Sequence, residues 1–342
     1  MRKFFIATVI LLVTLTSIYF QNQRLNSSDE VVNVYSTRKE ELMHSLFDEF
    51  TKETGIKINY INDDYAQLLI RIENENNGDL FLTADVTNLI SAKRRGLLSK
   101  IESKILVDAI PESFRDGDNY WFGLTKRTRI LVYNKELVDA GNLSNYEDLA
   151  NPKWKGKILT RSSSSPYNQS LIAFMIATDG LEYTKEWIKG LVYNFARKPS
   201  GGDIDQIYAA AAGEGAIAIV NSYYFARVLA SDKAYDKKAS ERLKVFFPNQ
   251  NSNGAMINIS GGAVIKNAKN KDNAIRLLEF LVSKKAQYLY TEMNHEYPIR
   301  DDVEVSQILK AWDHYKQSDL PLQELDKYLN ESIMIADQCG WK

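Results

Sequence analysis

The α/β character of this chain is visible in the stretch VVNVYSTRKEELMHSLFDEFTKETGIKINYIN, residues 31–62. Its first seven residues are rich in β-branched side chains, which predicts a strand. Apolar residues then recur at helical spacing: Leu42, Leu46, Phe47 and Phe50. Gly55 marks the end of the predicted helix, and a second strand, KINYIN, follows shortly after it. A strand, a helix and a strand in this order predict a unit of a largely parallel sheet.

The same alternation continues outward from this unit. Strands are predicted by DLFLTAD (79–85), GKILTRS (156–162), AIAIV (216–220) and MINISGGAVI (256–265). Helices are predicted by YAQLLIRIENENNG (65–78), VTNLISAKRRGLL (86–98), SPYNQSLIAFMIATDG (165–180), DIDQIYAAAAGEG (203–215), NSYYFARVLAS (221–231) and NAIRLLEFLVSKKAQYLYTEM (273–293). Because 342 residues exceed the size of one small domain, we expect two α/β lobes.

Two hinge crossings are expected to join the lobes, near residues 124–133 and 250–262. This divides the chain into four parts, 27–127 and 256–296 for lobe 1, and 128–255 and 297–342 for lobe 2. An exported two-lobe α/β protein without lipid or nucleic-acid features is typically a solute receptor that closes around its ligand.

The first 26 residues predict export. Arg2 and Lys3 precede a mostly apolar run from Phe4 to Phe20, which is the pattern of a signal peptide. No clear cleavage site follows, and the run is near the lower limit for spanning a bilayer, so an uncleaved N-terminal anchor is the alternative. Either way, the remaining chain is expected in the periplasm.

Composition excludes several classes of function. The 43 basic and 44 acidic residues nearly balance, so nothing indicates a nucleic-acid binder. With Cys339 as its one cysteine, the chain has no intrachain disulfide and no Cys-rich zinc site, and its three histidines are widely separated. Motifs of serine hydrolases, P-loop proteins, zinc proteases and dinucleotide-binding enzymes are missing from the sequence. We therefore expect no enzymatic activity.

Three of the 19 tyrosines stand at predicted helix starts. Tyr167 follows SSSSP, where Ser165 and Pro166 open a helix, and Tyr223 and Tyr224 follow Asn221 and Ser222. One interpretation is aromatic packing. The other is metal binding, because helix N-termini favour anions and a phenolate is an anion. Ionising a free tyrosine at pH 7 costs about 4 kcal/mol, so several phenolates together require a strong cation such as Fe³⁺.

The exported part resembles the periplasmic ferric-ion-binding proteins of ABC iron importers over nearly its whole length. The most specific matching segments are RSSSSPYNQSL (161–171) and NSYY (221–224). Further matches lie in WFGLTKRTRILVYNK (121–135), GEGAIAIVNSYYFARVL (213–229) and DQCGW (337–341). The resemblance implies the type II solute-binding fold, with a cleft between two lobes joined by two hinge strands. It also implies a monomer that binds Fe³⁺ through Tyr167, Tyr223 and Tyr224 and partners an ABC permease.

The sequence departs from the family after Arg38, where many members have a histidine and this chain has Lys39 and Glu40. Three phenolates leave half of an octahedral shell open, so a bidentate synergistic anion such as carbonate is expected to complete it. The resemblance assigns that anion to Arg38 and to Arg127 or Arg129, whose guanidinium forks match carbonate. The alternatives are a solvated turn residue for Arg38 and a hinge salt bridge for Arg127.

Other polar residues near these motifs receive smaller roles. Asp85 stands where some family members have a carboxylate ligand, but a helix N-cap is the preferred interpretation. Lys39 is expected to be solvated, and Cys339 to have no function. If no anion binds, Asp85 or His44 would supply the missing ligands. The segment His295, Glu296 and Tyr297 is expected to be structural and to bind no metal.

The sequence thus predicts an exported receptor that captures Fe³⁺ and delivers it to an ABC permease. The first alternative is a receptor of the same fold for a polyamine, thiamine or an oxyanion. The second is an exported enzyme that uses cleft carboxylates. Colour separates these possibilities, because ferric–phenolate complexes absorb visible light.

Overall fold

The structure is a computed structural model that describes residues 30–312 and 314–342. The signal peptide or anchor expected over residues 1–26 lies outside the described residues. Within them, no helix combines the length and the apolar character needed to cross a bilayer.

Nine strands lie in the described part of the chain. They are β1 (Val31–Ser36), β2 (Lys57–Asn62), β3 (Leu80–Thr83), β4 (Phe122–Asn134), β5 (Ile158–Leu159), β6 (Ile217–Asn221), β7 (Leu243–Phe246), β8 (Ile257–Val264) and β9 (Tyr297–Pro298). Their hydrogen-bonded order is β2-β1-β3-β8-β4-β6-β5, and β7 and β9 also pair with β4. Strand β4 is therefore the element around which the others assemble.

Helices pack around these strands. The described α-helices are α1 (His44–Thr54), α2 (Tyr65–Asn74), α3 (Val86–Arg94), α4 (Lys104–Ala109), α5 (Pro166–Asp179), α6 (Leu181–Tyr193), α7 (Asp203–Ala212), α8 (Ser222–Ala230), α9 (Ala234–Arg242), α10 (Lys271–Leu281), α11 (Lys284–Leu289), α12 (Gln307–Lys310), α13 (Glu324–Lys327) and α14 (Leu329–Gln338). A π-helical turn, Tyr290–Asn294, continues α11.

Strand β4 changes partners half-way along its 13 residues. From Phe122 to Thr128 it pairs antiparallel with β8. From Arg129 onward it pairs with β6 on one side and, from Leu131, with β7 on the other. Nearly all of its residues are buried. One continuous strand thus joins two groups of strands, and the change of partners falls between Thr128 and Arg129.

The expectation of a largely parallel sheet is wrong. The pairs of β1 with β2, β1 with β3 and β5 with β6 are parallel. The pairs that β4 makes with β6, β7, β8 and β9, and the pair of β3 with β8, are antiparallel. Sequence spacing revealed the local βα units correctly. It did not reveal that β8 returns from a distant part of the chain and inserts between β3 and β4.

The predicted helix over 273–293 is interrupted in the structure. Helix α10 ends at Leu281, and Ser283 begins α11 because its side chain accepts a hydrogen bond from the backbone N–H of Ala286. A serine favours a helix N-cap over a helix interior for this reason. The strand predicted over 156–162 is also shorter, because only Ile158 and Leu159 are paired as β5.

Candidate metal centre

The three tyrosines singled out in the sequence line one cavity of about 190 Å³. The cavity also takes residues from the loop after β1, from β4 and from the segment that precedes β9. Its charged lining residues are Arg38, Lys39, Arg127, Arg161, Arg227 and Glu296. Five cations and one carboxylate therefore surround the tyrosines.

Tyr167 enters the cavity from the first turn of α5. Pro166 occupies the first position of that helix, as predicted, because its fixed φ suits a helix start and its missing N–H leaves no donor unsatisfied. Ser165 is the N-cap residue, but its hydroxyl makes no capping hydrogen bond, and it is a buried group without a described partner. The phenol oxygen of Tyr167 lies 3.3 Å from that of Tyr223.

Tyr223 and Tyr224 come from the first turn of α8, which begins directly after β6. Their ring centroids are 4.2 Å apart. Tyr223 is only 5% exposed. Burial, and then the neighbouring Tyr167 and Tyr224, raise the pKa of Tyr223 well above its usual value. Burial likewise raises the pKa of Tyr224. Phenols that resist ionisation this strongly become phenolates only against a bound cation.

Two arginines flank the ring of Tyr167. The guanidinium carbons of Arg127 and Arg161 each lie 5.2 Å from its ring centroid. Such contacts favour a cation placed over the face of an aromatic ring. Sequence reasoning assigned Arg127 to the site and missed Arg161. A signal for Arg161 was present, because this residue opens the family-like segment RSSSSPYNQSL.

Arg38 lies in the cavity wall as predicted, and it is already paired. Its Nη2 is 2.8 Å from Oε1 of Glu296, and both side chains are buried. The other carboxylate oxygen of Glu296 accepts a hydrogen bond from Thr125 in β4. The sequence predicted that Glu296 is structural and binds no metal; Glu296 does form an ion pair with Arg38, and it also lines the cavity. The alternative of a solvated Arg38 is wrong.

Arg127 pairs with Asp85, whose Oδ2 lies 3.1 Å from its Nη2. Asp85 caps α3 by accepting a hydrogen bond from the N–H of Thr87, which confirms the N-cap interpretation. Its carboxylate also accepts hydrogen bonds from Ser170 and Asn258. Asp85 is therefore occupied, and it is not among the residues that line the cavity.

Arg129 does not line the cavity either. It is buried and holds together the segments that carry the tyrosines. Its guanidinium donates to Asn168 at 2.7 Å, to Asp203 at 2.7 Å and to Asn221 at 3.3 Å. Asn168 adjoins Tyr167, and Asn221 occupies the N-cap position of the helix of Tyr223 and Tyr224. Arg129 is thus a positioning residue, in place of the anion partner considered from the sequence.

Of the remaining candidate binding residues, some line the cavity and others lie outside it. Lys39 lines the cavity and is exposed, as expected. Arg227, which the sequence analysis missed, also lines it and lies 3.6 Å from Glu41. His44 pairs with Asp48 on the exposed side of α1. The described residues contain no group of three or more His, Cys, Asp and Glu side chains that could hold a metal, so the tyrosines are the principal candidate ligands.

Two buried donors in the cavity wall have no described partner. They are the Nε–H groups of Arg38 and Arg127. An unpaired buried donor is costly, and an oxyanion in the cavity would satisfy it. The residues present therefore suit both a hard cation and an accompanying oxyanion.

A cleft wall built from two groups of strands that share β4 is typical of two-lobe solute-binding proteins. The bacterial extracellular solute-binding protein family matches residues 45–317, and the chain belongs to this family.

Relatives with iron-related names cover most of the chain. This chain is 41% identical to iron uptake protein A1 of Synechocystis sp., and the match covers 91% of this chain and 87% of that protein. It resembles the Trichodesmium IdiA (FutA) structure in complex with iron and citrate, with a TM-score of 0.85, 44% identity and coverage of 91% and 100% of the two chains. The ferric-binding protein of Campylobacter jejuni gives a TM-score of 0.88, 40% identity and the same coverage. The fold is therefore the type II two-lobe fold expected from the sequence.

Proposed function

We propose that this chain is an iron receptor that binds Fe³⁺ through the phenolates of Tyr167, Tyr223 and Tyr224. The observation that carries the proposal is the convergence of these three side chains in one cavity, with the Tyr167 and Tyr223 oxygens 3.3 Å apart. The names of the relatives in Synechocystis and Campylobacter jejuni support the same metal.

The charges of the cavity support a metal accompanied by an anion. Three phenolates neutralise Fe³⁺, and the arginines around them then attract further negative charge. The unpaired Nε–H groups of Arg38 and Arg127 suit a small oxyanion that would also bind the metal. Carbonate is one such anion, and citrate, present in the Trichodesmium complex, is another.

The same charges argue against a polyamine. A polyamine is a polycation, and five of the six charged residues that line the cavity are cations. Among the described residues that line the cavity there is no carboxylate pair for acid–base catalysis. Glu296 is the one acidic residue among them, and it is paired with Arg38. A receptor for a free oxyanion would need the cationic side chains of the cavity, but it would not need three converging phenols. The three tyrosines therefore argue against that alternative.

We propose that the two lobes close about a hinge in β4, at the point where this strand stops pairing with β8 and starts pairing with β6. The lobe boundary expected from the sequence, between residues 127 and 128, is one residue before the point between Thr128 and Arg129 where β4 leaves β8 and joins β6. Closure would hold the ion in the cavity that Arg38 and the tyrosines line, and the closed form would present it to an ABC permease from the periplasm. We also propose that the receptor is a monomer, as the resemblance to the ferric-ion-binding proteins implies.

A visible spectrum with metal analysis of the purified protein tests the proposal. We expect a ferric–phenolate band that disappears after the iron is removed with excess citrate at low pH and returns when Fe³⁺ and bicarbonate are added. Iron affinity should fall in bicarbonate-free buffer, and Arg38→Ala should weaken that dependence. A colourless protein that takes up no Fe³⁺ with any oxyanion would rule the function out.

A further inference from the structure

Tyr146 lies at the expected hinge rather than in the lining of the cavity, and its side chain is buried. Its hydroxyl donates a hydrogen bond to the backbone carbonyl of Arg129 at 2.5 Å and accepts one from the N–H of Met256 at 3.2 Å. Arg129 is the residue at which β4 begins to pair with β6, and Met256 immediately precedes β8. One phenol thus bridges the two hinge crossings expected from the sequence.

Tyr315 holds the same point from the C-terminal part of the chain. Its hydroxyl lies 2.5 Å from Oγ1 of Thr128, the last residue of β4 that pairs with β8. Its ring stacks on that of Phe247, with the two centroids 4.1 Å apart. The next residue joins the other crossing, because the N–H of Ala255 donates to the carbonyl of Lys316 at 2.9 Å. This segment therefore also contacts both crossings.

The hinge residues held in this way are connected to the helices of the cavity. The N–H of Thr128 donates to the hydroxyl of Ser222, the first residue of α8, at 3.2 Å. The side chain of Arg129 reaches Asn168 in α5 and Asn221 at the start of α8. These two helices carry the three tyrosines of the cavity. A movement of β4 at this point is therefore transmitted to the candidate iron ligands.

We propose that Tyr146 and Tyr315 are positioning residues that hold the lobes in their closed arrangement and thereby set the rate at which iron leaves. The inference rests on the proposed iron binding and on the proposed closure about β4. Opening at a hinge changes the backbone dihedrals of a few residues and moves the crossing strands relative to each other. A hydroxyl that bonds both crossings keeps both bonds in only one such arrangement. In the arrangement seen here, Arg38 and Tyr223, from the two expected lobes, line one cavity.

The variants Tyr315→Phe and Thr128→Val test this role, because each removes one hydroxyl and keeps nearly the same shape. Neither residue lines the cavity, so the position of the visible band should not change. The rate of iron release to a strong chelator is measured by stopped-flow absorbance. We expect each variant to release iron roughly three- to tenfold faster than wild type. Because the two hydroxyls bond each other, the double variant should release iron no faster than the faster single variant.

A second measurement needs no iron. Spin labels on Lys52→Cys in α1 and Lys238→Cys in α9, in a Cys339→Ser background, report the distance between the expected lobes. Both lysines are exposed. Metal-free Tyr315→Phe should show a larger share of long distances than metal-free wild type, because the bond that favours the closed arrangement is missing.

Tyr35→Phe is the matched control. The hydroxyl of Tyr35 donates to Glu75 at 3.2 Å, and neither residue belongs to β4 or β8. This variant should release iron at the wild-type rate, and so should Thr128→Ser, which keeps its hydroxyl.

Wild-type release rates and wild-type distances in both Tyr315→Phe and Thr128→Val would overturn the proposal. Equal acceleration in Tyr35→Phe and Tyr315→Phe would also overturn it, because the effect would then reflect general stability. If wild type bound no iron while the label distances shifted as expected, the iron function alone would fail and the role of the two tyrosines in closure would stand.

Discussion

The phenol oxygens of Tyr167 and Tyr223 lie 3.3 Å apart, although 56 positions separate the two residues in the sequence. Each tyrosine starts a different helix, α5 or α8, and the two helix starts meet because Arg129 contacts both Asn168 and Asn221. Two phenols at this distance share a hydrogen bond when neutral and repel each other when ionised. The arrangement therefore favours a cation between them over two free phenolates.

Replacing Tyr223 or Tyr224 by phenylalanine should remove most of the visible band and at least about 90% of the bound iron. Phenylalanine keeps the ring packed and removes only the oxygen that would bind the metal, so the folded state should persist. The measurement is the absorbance and iron content of protein refilled with Fe³⁺ and bicarbonate. Tyr193→Phe, at an exposed position in α6, is the control. Wild-type colour in both site variants would leave aromatic packing as the role of this pair.

Arg129→Lys should weaken iron binding although Arg129 does not line the cavity. Lysine can still pair with Asp203, but one ammonium cannot reach Asn168, Asp203 and Asn221 as the guanidinium fork does. Losing buried hydrogen bonds to a charged group costs about 2–3 kcal/mol. Losing those to Asn168 and Asn221 also removes the link that holds the starts of α5 and α8 together. We expect at least a tenfold lower Fe³⁺ affinity and a shifted visible band. Arg242→Lys, a partly exposed arginine paired with Glu136, serves for comparison. A purely structural role would lower thermal stability and leave the band position unchanged.

Glu296→Gln should have opposite effects on stability and on anion binding. In the metal-free protein it leaves the buried Arg38 without its carboxylate, which costs about 3–5 kcal/mol. The same change frees the charge of Arg38 for an oxyanion, so bicarbonate should promote iron binding more strongly than in wild type. Denaturant unfolding and an iron titration at several bicarbonate concentrations measure the two effects.

The double variant Arg38→Met with Glu296→Gln should recover stability and lose the anion dependence. If bicarbonate acted equally on wild type and Glu296→Gln, Arg38 would not be the anion partner.

Iron binding should release protons and weaken as pH falls. Burial and the neighbouring tyrosines raise the pKa of Tyr223 well above its usual value near 10, so this phenol is protonated in the metal-free protein at neutral pH. Fe³⁺ must displace that proton, which lowers the pKa in the bound state, and binding is lost as pH falls through the lowered value. Potentiometric titration of the protons released on adding iron gives the number displaced.

The fold itself should persist while the colour fades. A tyrosine whose folded-state pKa is raised stabilises the fold at every pH below its unfolded-state pKa, and that contribution is lost only as pH rises through the folded-state value. Mild acid therefore removes none of it. Far-ultraviolet circular dichroism should stay constant through the pH range in which the visible band disappears. A simultaneous loss of both signals would mean that iron binding and folding form one cooperative transition.

The sequence by itself determined the features that depend on near neighbours. Gly55 ends α1 in a left-handed conformation that glycine adopts at little cost, and Pro166 starts α5. Tyr167, Tyr223 and Tyr224 were predicted in the first turns of helices, and the family resemblance favoured metal binding over aromatic packing for them. These properties involve residues within a few positions of one another, so local spacing is sufficient to predict them.

Only the tertiary structure decided which distant groups meet at the cavity. Glu296 pairs with Arg38 across 258 positions, whereas the sequence predicted only a structural role for the segment that contains Glu296. Asp203 joins Arg129 and Arg161 to the tyrosine-bearing segments, although nothing in its own helix indicates a partner. Likewise, the insertion of β8 between β3 and β4 made the sheet mixed. A buried charge accepts whichever partner the packed core brings within reach, and that geometry is set by the whole fold rather than by any local stretch of the chain.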